Sequence, residues 1–297
     1  MKIPTGMKRL RTLGPILVGA AILMQATAAP APPADAQKLY DQTEYHAALT
    51  LLQKSGQNSA AAWELTGRCR YMLGDFKPAI EAFEKAVQFE PNNAGHHLWL
   101  GRAWGRRAET SVFLLAPKYA VNAREQFEKA VALSPGNMEA VNDLFSYYLD
   151  APGMLGGGID RATKLTELIR KNDPIEYHYA LAQLAVQRKQ YDLAEGQYRK
   201  AVELAPRQVN RLVDLAKFLA GRGKVKESEE AFQDAAKIDA NDKKLLYTRA
   251  ETYVKSKRNL DTAKKLLETY MQCRLTPEDP SREDARKLLL RANGASD

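Results

Sequence analysis

A chain of 297 residues can hold one large domain or two ordinary ones, and 45% hydrophobic with 27% charged residues is a globular balance that excludes wholesale disorder. The formal net charge of +8 is half explained by Lys2, Lys8, Arg9 and Arg11, which have no acid among them in the first 28 residues. The other half is spread among alternating signs along the sequence, whereas a nucleic-acid binder gathers its excess on one face.

The N-terminus reads as an address. After its basic start comes the apolar run Leu13–Met24, 12 residues long, short of the roughly 20 that a spanning helix needs. Ala26-Thr27-Ala28 supplies the small-x-small pattern of a signal-peptidase site, with Ala34–Ala36 a weaker second. The expectation is a signal peptide over 1–28 and export from a bacterium to the periplasm or beyond. No cysteine lies near the site to carry a lipid anchor, and no later run is long enough to span, so the mature chain is expected not to be an integral membrane protein. Residues 29–36, rich in proline and alanine, read as a solvated linker.

From Gln37 onward the chain repeats itself. Asp75–Pro91, Ala123–Pro135 and Gln190–Pro206 share a phase of alanine, aromatic, alanine and proline: Ala79, Phe83, Ala86, Pro91; Ala123, Phe127, Ala130, Pro135; Ala194, Tyr198, Ala201, Pro206. A fainter copy has Ser228, Phe232, Ala235 and Ala240. Spacings of three and four place these residues on one helix face, and the proline stops the helix without breaking it. Upstream of each lies a second helical pattern, clearest in Trp63–Phe76, whose Gly67 recurs as Gly101, Ala182, Ala216 and Ala250. Small residues there let two helices approach closely. Six units start near Ala60, Ala94, Met138, Ile175, Val209 and Lys243; a half-unit with Tyr45, Ala48 and Leu52 precedes them over 37–57. Ser281 with Asp284 three residues on is a capping-box pattern, opening a terminal capping helix over 281–293 with Ala285, Leu288 and Leu289 as its apolar stripe.

These motifs resemble the tetratricopeptide repeat (TPR) family, whose unit is a 34-residue antiparallel helix pair. The resemblance implies an all-α fold: a right-handed superhelical solenoid of about six helix pairs, with the N-terminal half-repeat and the C-terminal cap at its ends. In a linear stack of packed helices Cys69 and Cys273 are tens of ångströms apart, beyond disulfide reach, and two free, buried thiols are expected.

The period breaks twice. Ala79 to Ala123 is 44 residues and Ala123 to Ala162 is 39. The additions fall between first and second helices, over Gly105–Tyr119 in repeat two and Ala151–Gly158 in repeat three. Such turns lie along one edge of a solenoid, where insertions often mark a binding side. Burial is not expected for Phe113, Leu114 and Leu115 in such a turn. The glycines of "GMLGGGID" lack the lysine and serine or threonine of a phosphate loop and follow no strand. They read as a surface turn in which Gly157 tolerates alanine, with Asp160 capping the next helix.

By resemblance, first-helix positions line the concave face. Arg68, Arg102, Arg106 and Asn142 stand there as donors for a peptide carboxylate, with Asp150 and Gln183 further along. The lysine–asparagine clamp by which some family members grip chaperone C-termini does not carry over, because Glu64 with Arg68 and Leu98 with Arg102 occupy its positions. Catalysis finds no support: His96 and His97 point to different faces, and no HExxH or CxxC spacing exists. Neither a metal nor a cofactor is implied. Two readings follow. One is an exported, non-catalytic scaffold that binds a peptide or protein, not nucleic acid, through its groove and the insertion-bearing edge around Phe113. The other is a periplasmic binder of a small ligand or glycan, in a pocket walled by Trp104, Tyr119 and Tyr148.

Overall fold

The structure, a computed structural model, describes residues 33–276 and 278–294. The signal-peptide stretch and residues 29–32 of the linker lie outside the described residues. Those described contain fifteen α-helices, one short 3-10 turn and no strand.

The helices follow one another as antiparallel pairs: α1 (Ala34–Asp41) with α2 (Tyr45–Ser55), α3 (Ala60–Met72) with α4 (Phe76–Phe89), α5 (Ala94–Glu109) with α6 (Ala116–Leu133), α7 (Met138–Asp150) with α8 (Ile159–Asn172). The regular half continues with α9 (Pro174–Gln187) and α10 (Tyr191–Leu204), α11 (Val209–Gly221) and α12 (Val225–Ile238), α13 (Lys243–Lys255) and α14 (Leu260–Gln272), closed by α15 (Arg282–Ala292). Each pair packs internally and on its sequence neighbours, which is the solenoid expected.

Two boundaries differ from the sequence reading. The first unit is a whole short pair: α1 begins at Ala34, inside the stretch read as linker, and Ala36 and Tyr40 are buried against α2 and α3. The fourth repeat starts at Pro174, because Asp173 accepts hydrogen bonds from the amides of Ile175 and Glu176, both at 2.9 Å, and proline suits the first helical position.

Close approach explains the small residues. A Cβ added at Gly67 would stand 2.6 Å from the Phe83 ring, and one at Gly101 2.6 Å from the Phe127 ring. In these two pairs the aromatic of the second helix packs against the glycine backbone of the first.

The cap forms as read. Ser281 and Asp284 make both halves of the capping box. Of the expected stripe Ala285 and Leu288 are buried and Leu289 is half-buried, and Ala292 is buried beside them. The connection before it does something no repeat pattern announced. Tyr270 donates to the Pro280 carbonyl at 2.6 Å and Lys243 pairs with Asp279 at 2.5 Å, fastening the connection to its own repeat. From there it reaches the other end of the array: the Tyr71 hydroxyl donates to Glu278 at 2.7 Å, and Arg274 donates to the Gln42 carbonyl at 3.1 Å. The two ends of the solenoid meet. The linear separation invoked for the cysteines therefore does not hold, although both are free; Cys69 is buried and Cys273 half-buried.

The two insertions are built differently. In repeat two most of the added length goes into the helices, α5 and α6 having 16 and 18 residues where the other repeats have 13 or 14, so only Thr110–Leu115 remain as turn. In repeat three the addition is a folded connection around a 3-10 turn, Gly153–Leu155. Its amides are spent internally: Gly156 donates to Gly153 (2.9 Å), Gly157 to Pro152 (3.2 Å) and Gly158 to Tyr148 (2.7 Å). The three consecutive glycine amides are therefore not free to cradle a phosphate. Gly157 is not in an open turn: it is buried, and a Cβ there would stand 1.9 Å from the Ala151 carbonyl oxygen. Asp160 does not cap α8 either. Gly158, at φ 134, holds the N-cap position, and Asp160 sits in the first helical turn without a capping bond.

Candidate functional site

The lengthened α5 and α6 rise above their neighbours, and the connection after α7 folds toward them. The tie is direct: Arg124 on α6 and the Tyr147 hydroxyl on α7 both donate to the Leu155 carbonyl, at 3.2 and 2.9 Å. A cleft of about 430 Å³ is left on the concave side. Ala120, Ala123 and Phe127 of α6 form its floor, Tyr147, Pro152 and Leu155 one wall, and Arg102, Arg106 and Glu109 of α5 the other. Asp143, Ser146 and Asp150 of α7, Tyr71 of α3 and Glu278 complete the rim.

The arginines expected to hold a carboxylate are already engaged. Arg102 donates to Asp143 at 2.6 Å and pairs with Glu139 at 3.1 Å, which raises its pKa although burial works the other way. Arg106 pairs with Glu109 and lies over the Phe76 ring, 5.6 Å from its centre. Arg68 lies 3.6 Å from Glu64, between the rings of Tyr40 (4.7 Å) and Trp99 (5.0 Å). These pairs correct the reading of a free donor patch: each arginine is neutralised by an acid on its own first helix or on that of the next repeat. Burial raises the pKa of Asp143 more than Arg102 lowers it. Burial likewise raises that of Asp150, a cleft residue with no polar partner among the described residues.

The remaining expected residues do not converge. Asn142 leaves its Oδ1 buried and unpartnered, and neither it nor Gln183 lines the cleft. Trp104 stacks on Tyr119 with ring centres 5.4 Å apart and lines a separate recess with His97, Asn122 and Gln126. Tyr148 is buried, its hydroxyl bound to Glu128 at 2.7 Å and its pKa pushed up to about 12 by burial and that carboxylate. The aromatic pocket imagined from these three residues is not assembled. Phe113 stands 87% exposed at the tip of the repeat-two turn.

Sequence reasoning missed Tyr147, Asp143 and Glu278 as cleft residues. The first two lie at groove-side spacings along α7 and were findable. Glu278 carries no local signal, since its place depends on the meeting of the ends. Two of the histidines serve structure: His97 bonds Gln126 (2.7 Å) and the Pro91 carbonyl (2.9 Å), and His178 bonds Gln197 (2.7 Å). Among the described residues no group of His, Cys, Asp and Glu is placed to hold a metal ion.

Tetratricopeptide repeat family models match residues 60–93 and, in two overlapping registers, 162–209 and 179–243. The chain is a tetratricopeptide repeat protein. Its array is similar to the thermophilic TPR protein TTC0263 of Thermus thermophilus, at 25% identity over 63% of this chain and 97% of that one, with a TM-score of 0.51. A tetratricopeptide repeat protein from Parabacteroides merdae shares the fold at 13% identity over 87% and 96% of the two chains, with a TM-score of 0.65. The mouse protein O-mannosyl-transferase TMTC3 is 22% identical over 221 residues; the match spans 73% of this chain but only a fifth (20%) of that protein, to which the named activity belongs. The fold is that of a protein-interaction scaffold.

Proposed function

We propose that the chain is an exported, non-catalytic bacterial scaffold that holds an extended segment of a partner protein in its concave groove. One apolar side chain of that segment is anchored in the cleft between repeats two and three. The observation that carries this reading is the cleft itself: it opens on the groove side, is floored by Phe127 and small alanines, and is rimmed by charged residues, the apolar-centre, polar-rim arrangement of recognition sites. The insertions contribute its walls. A glycan pocket finds no comparable support, because Trp104 and Tyr119 stack on each other away from the cleft and Tyr148 is buried.

A photo-crosslinking amino acid at Ser146, exposed on the cleft rim, is expected to trap a partner from envelope extract, while the same group at Lys129 on the second helix of repeat two traps none. Equal yields at both positions overturn groove binding. N-terminal sequencing of the protein from its own host checks export: a start at Ala29 is expected, and a product still beginning at Met1 sinks it.

A further inference from the structure

The cleft uses the inner walls of the insertions and leaves their tips without a role. Val112, Phe113, Leu114 and Met154 are 67, 87, 86 and 90% exposed, whereas every other large apolar side chain among the described residues is at most 58% exposed. All four sit in turns between the first and second helix of a pair. Successive pairs in one orientation bring these turns to one edge of the stack.

That edge has a second property. Lys77, Lys118, Lys189, Lys226 and Lys257 each lie in that turn or among the first three residues of the helix after it, and Lys164 follows at the sixth residue of α8. All six are exposed, and none has an acidic partner among the described residues. Asp75, Asp160, Asp192, Glu227 and Asp261 share these turns and helix starts, but with Arg188, Arg222 and Arg258 beside the lysines the edge keeps a basic excess. Among the described residues the turns at the opposite edge carry Glu90, Asp173, Asp239 and Asp242 against Arg207 alone. The charge that looked scattered along the sequence is thus sorted by the fold, with unpaired lysines on the edge that bears the protruding apolar tips.

We propose that this edge docks on an anionic lipid bilayer, with Phe113, Leu114 and Met154 entering the headgroup–acyl boundary and the lysine row lying against acidic headgroups. Two observations select a bilayer over other polyanions and over a protein. The apolar residues form convex tips on two short turns, a shape that penetrates a soft interface. And they are leucine, methionine and valine beside one phenylalanine, whereas single-stranded nucleic acid is held by successive aromatic faces. Apolar insertion combined with attraction to acidic lipids is the two-signal arrangement of reversible peripheral binding. Among the described residues no helix is long and apolar enough to cross a membrane. The inference is independent of what the groove binds.

The test is co-sedimentation of the chain from Ala29 onward, which lacks the apolar run Leu13–Met24, with phosphatidylcholine vesicles containing roughly one-third phosphatidylglycerol and with vesicles of phosphatidylcholine alone. Binding to the anionic vesicles that weakens steeply with salt is expected. Phe113→Ser with Leu114→Ser should lower it about tenfold or more, and Lys189→Glu with Lys226→Glu and Lys257→Glu should abolish the preference for anionic lipid. All five positions are exposed, so circular dichroism should be unchanged. Absence of binding to anionic vesicles overturns the proposal. Binding indifferent to both sets of substitutions does so too, as does displacement from the vesicles by a single-stranded oligonucleotide with no effect of the Phe113 and Leu114 changes, which would mark a general polyanion site.

Discussion

Repeats five and six differ from repeats two and three in how the first helix of a pair is joined to the second and in the greater length of α5 and α6, and those differences shape the groove face. In the regular pair, connections of three or four residues keep adjacent first helices in register, and their side chains stitch one repeat to the next: Lys244 to Asp214 at 2.5 Å, Lys217 to Glu251 at 3.4 Å. These charges find their partners across the repeat boundary. In repeats two and three, Arg102 makes the same kind of stitch to Asp143, but the longer α5 and α6 and the folded connection after α7 leave an open, apolar-floored cleft beside it. The recognition surface proposed for this array lies where the period is broken, because the regular spacing consumes its own polar groups.

The comparison can be broken most forcefully in the cores. Phe232 is fully buried, whereas Phe127 has one side toward the cleft. Phe232→Ala should cost about 3–5 kcal/mol in urea denaturation and Phe127→Ala distinctly less; equal losses would mean that the cleft is not open to solvent. Next in size is a contrast inside the repeat-three insertion. Gly157→Ala drives a methyl into the Ala151 carbonyl and should cost about 1–3 kcal/mol, while Gly153→Ala, with nothing within 4 Å of its Cβ, should stay within about 0.5 kcal/mol. If both are silent, the connection is loose and cannot shape a wall.

Smaller still is Tyr71→Phe, which removes the hydrogen bond to the exposed Glu278 and should cost about 0.5–1 kcal/mol, lowering hydrogen-exchange protection in the first and last repeats more than in repeats three and four. The last effect is visible only as a slope. Burial alone would lower the pKa of His96, but Glu64 at 2.8 Å and Glu90 at 3.2 Å outweigh it and raise it. A raised pKa stabilises the fold fully below the unfolded value of about 6.5 and loses that contribution as pH climbs through the folded one. The melting temperature of the wild type should therefore fall across that range relative to His96→Gln. Parallel curves would show that His96 is neutral in the fold throughout.

Most of the array was legible because its information is local. Ala79, Phe83 and Ala86 announce a helix face within seven residues, and Gly67 and Gly101 announce close approach to the aromatic that follows them. Spacing also located both interruptions. It could not say that the first would lengthen helices and the second fold into a turn, since extra residues satisfy either solution until their contacts are known. The arginines were misjudged for a related reason: Arg102 reaches Asp143, forty-one positions away, so its neutralisation depends on which helices neighbour each other. Glu278 lay furthest from view. Its contact with Tyr71 spans 207 positions and results from small rotations accumulated over every intervening repeat, none of which a local pattern encodes.

That contact changes the kind of object the array is. A stack whose units touch only their neighbours behaves as a one-dimensional chain, weakest at its two ends, from which it frays inward. Joining Tyr71 to Glu278 and Arg274 to the Gln42 carbonyl converts a line with two boundaries into a loop with none. Loss of a terminal pair then requires the seam to part first, and the first and last repeats share the protection of the middle ones. A polypeptide held in the groove as proposed would be bounded by the same seam, leaving by sliding out along its own length or waiting for the loop to open.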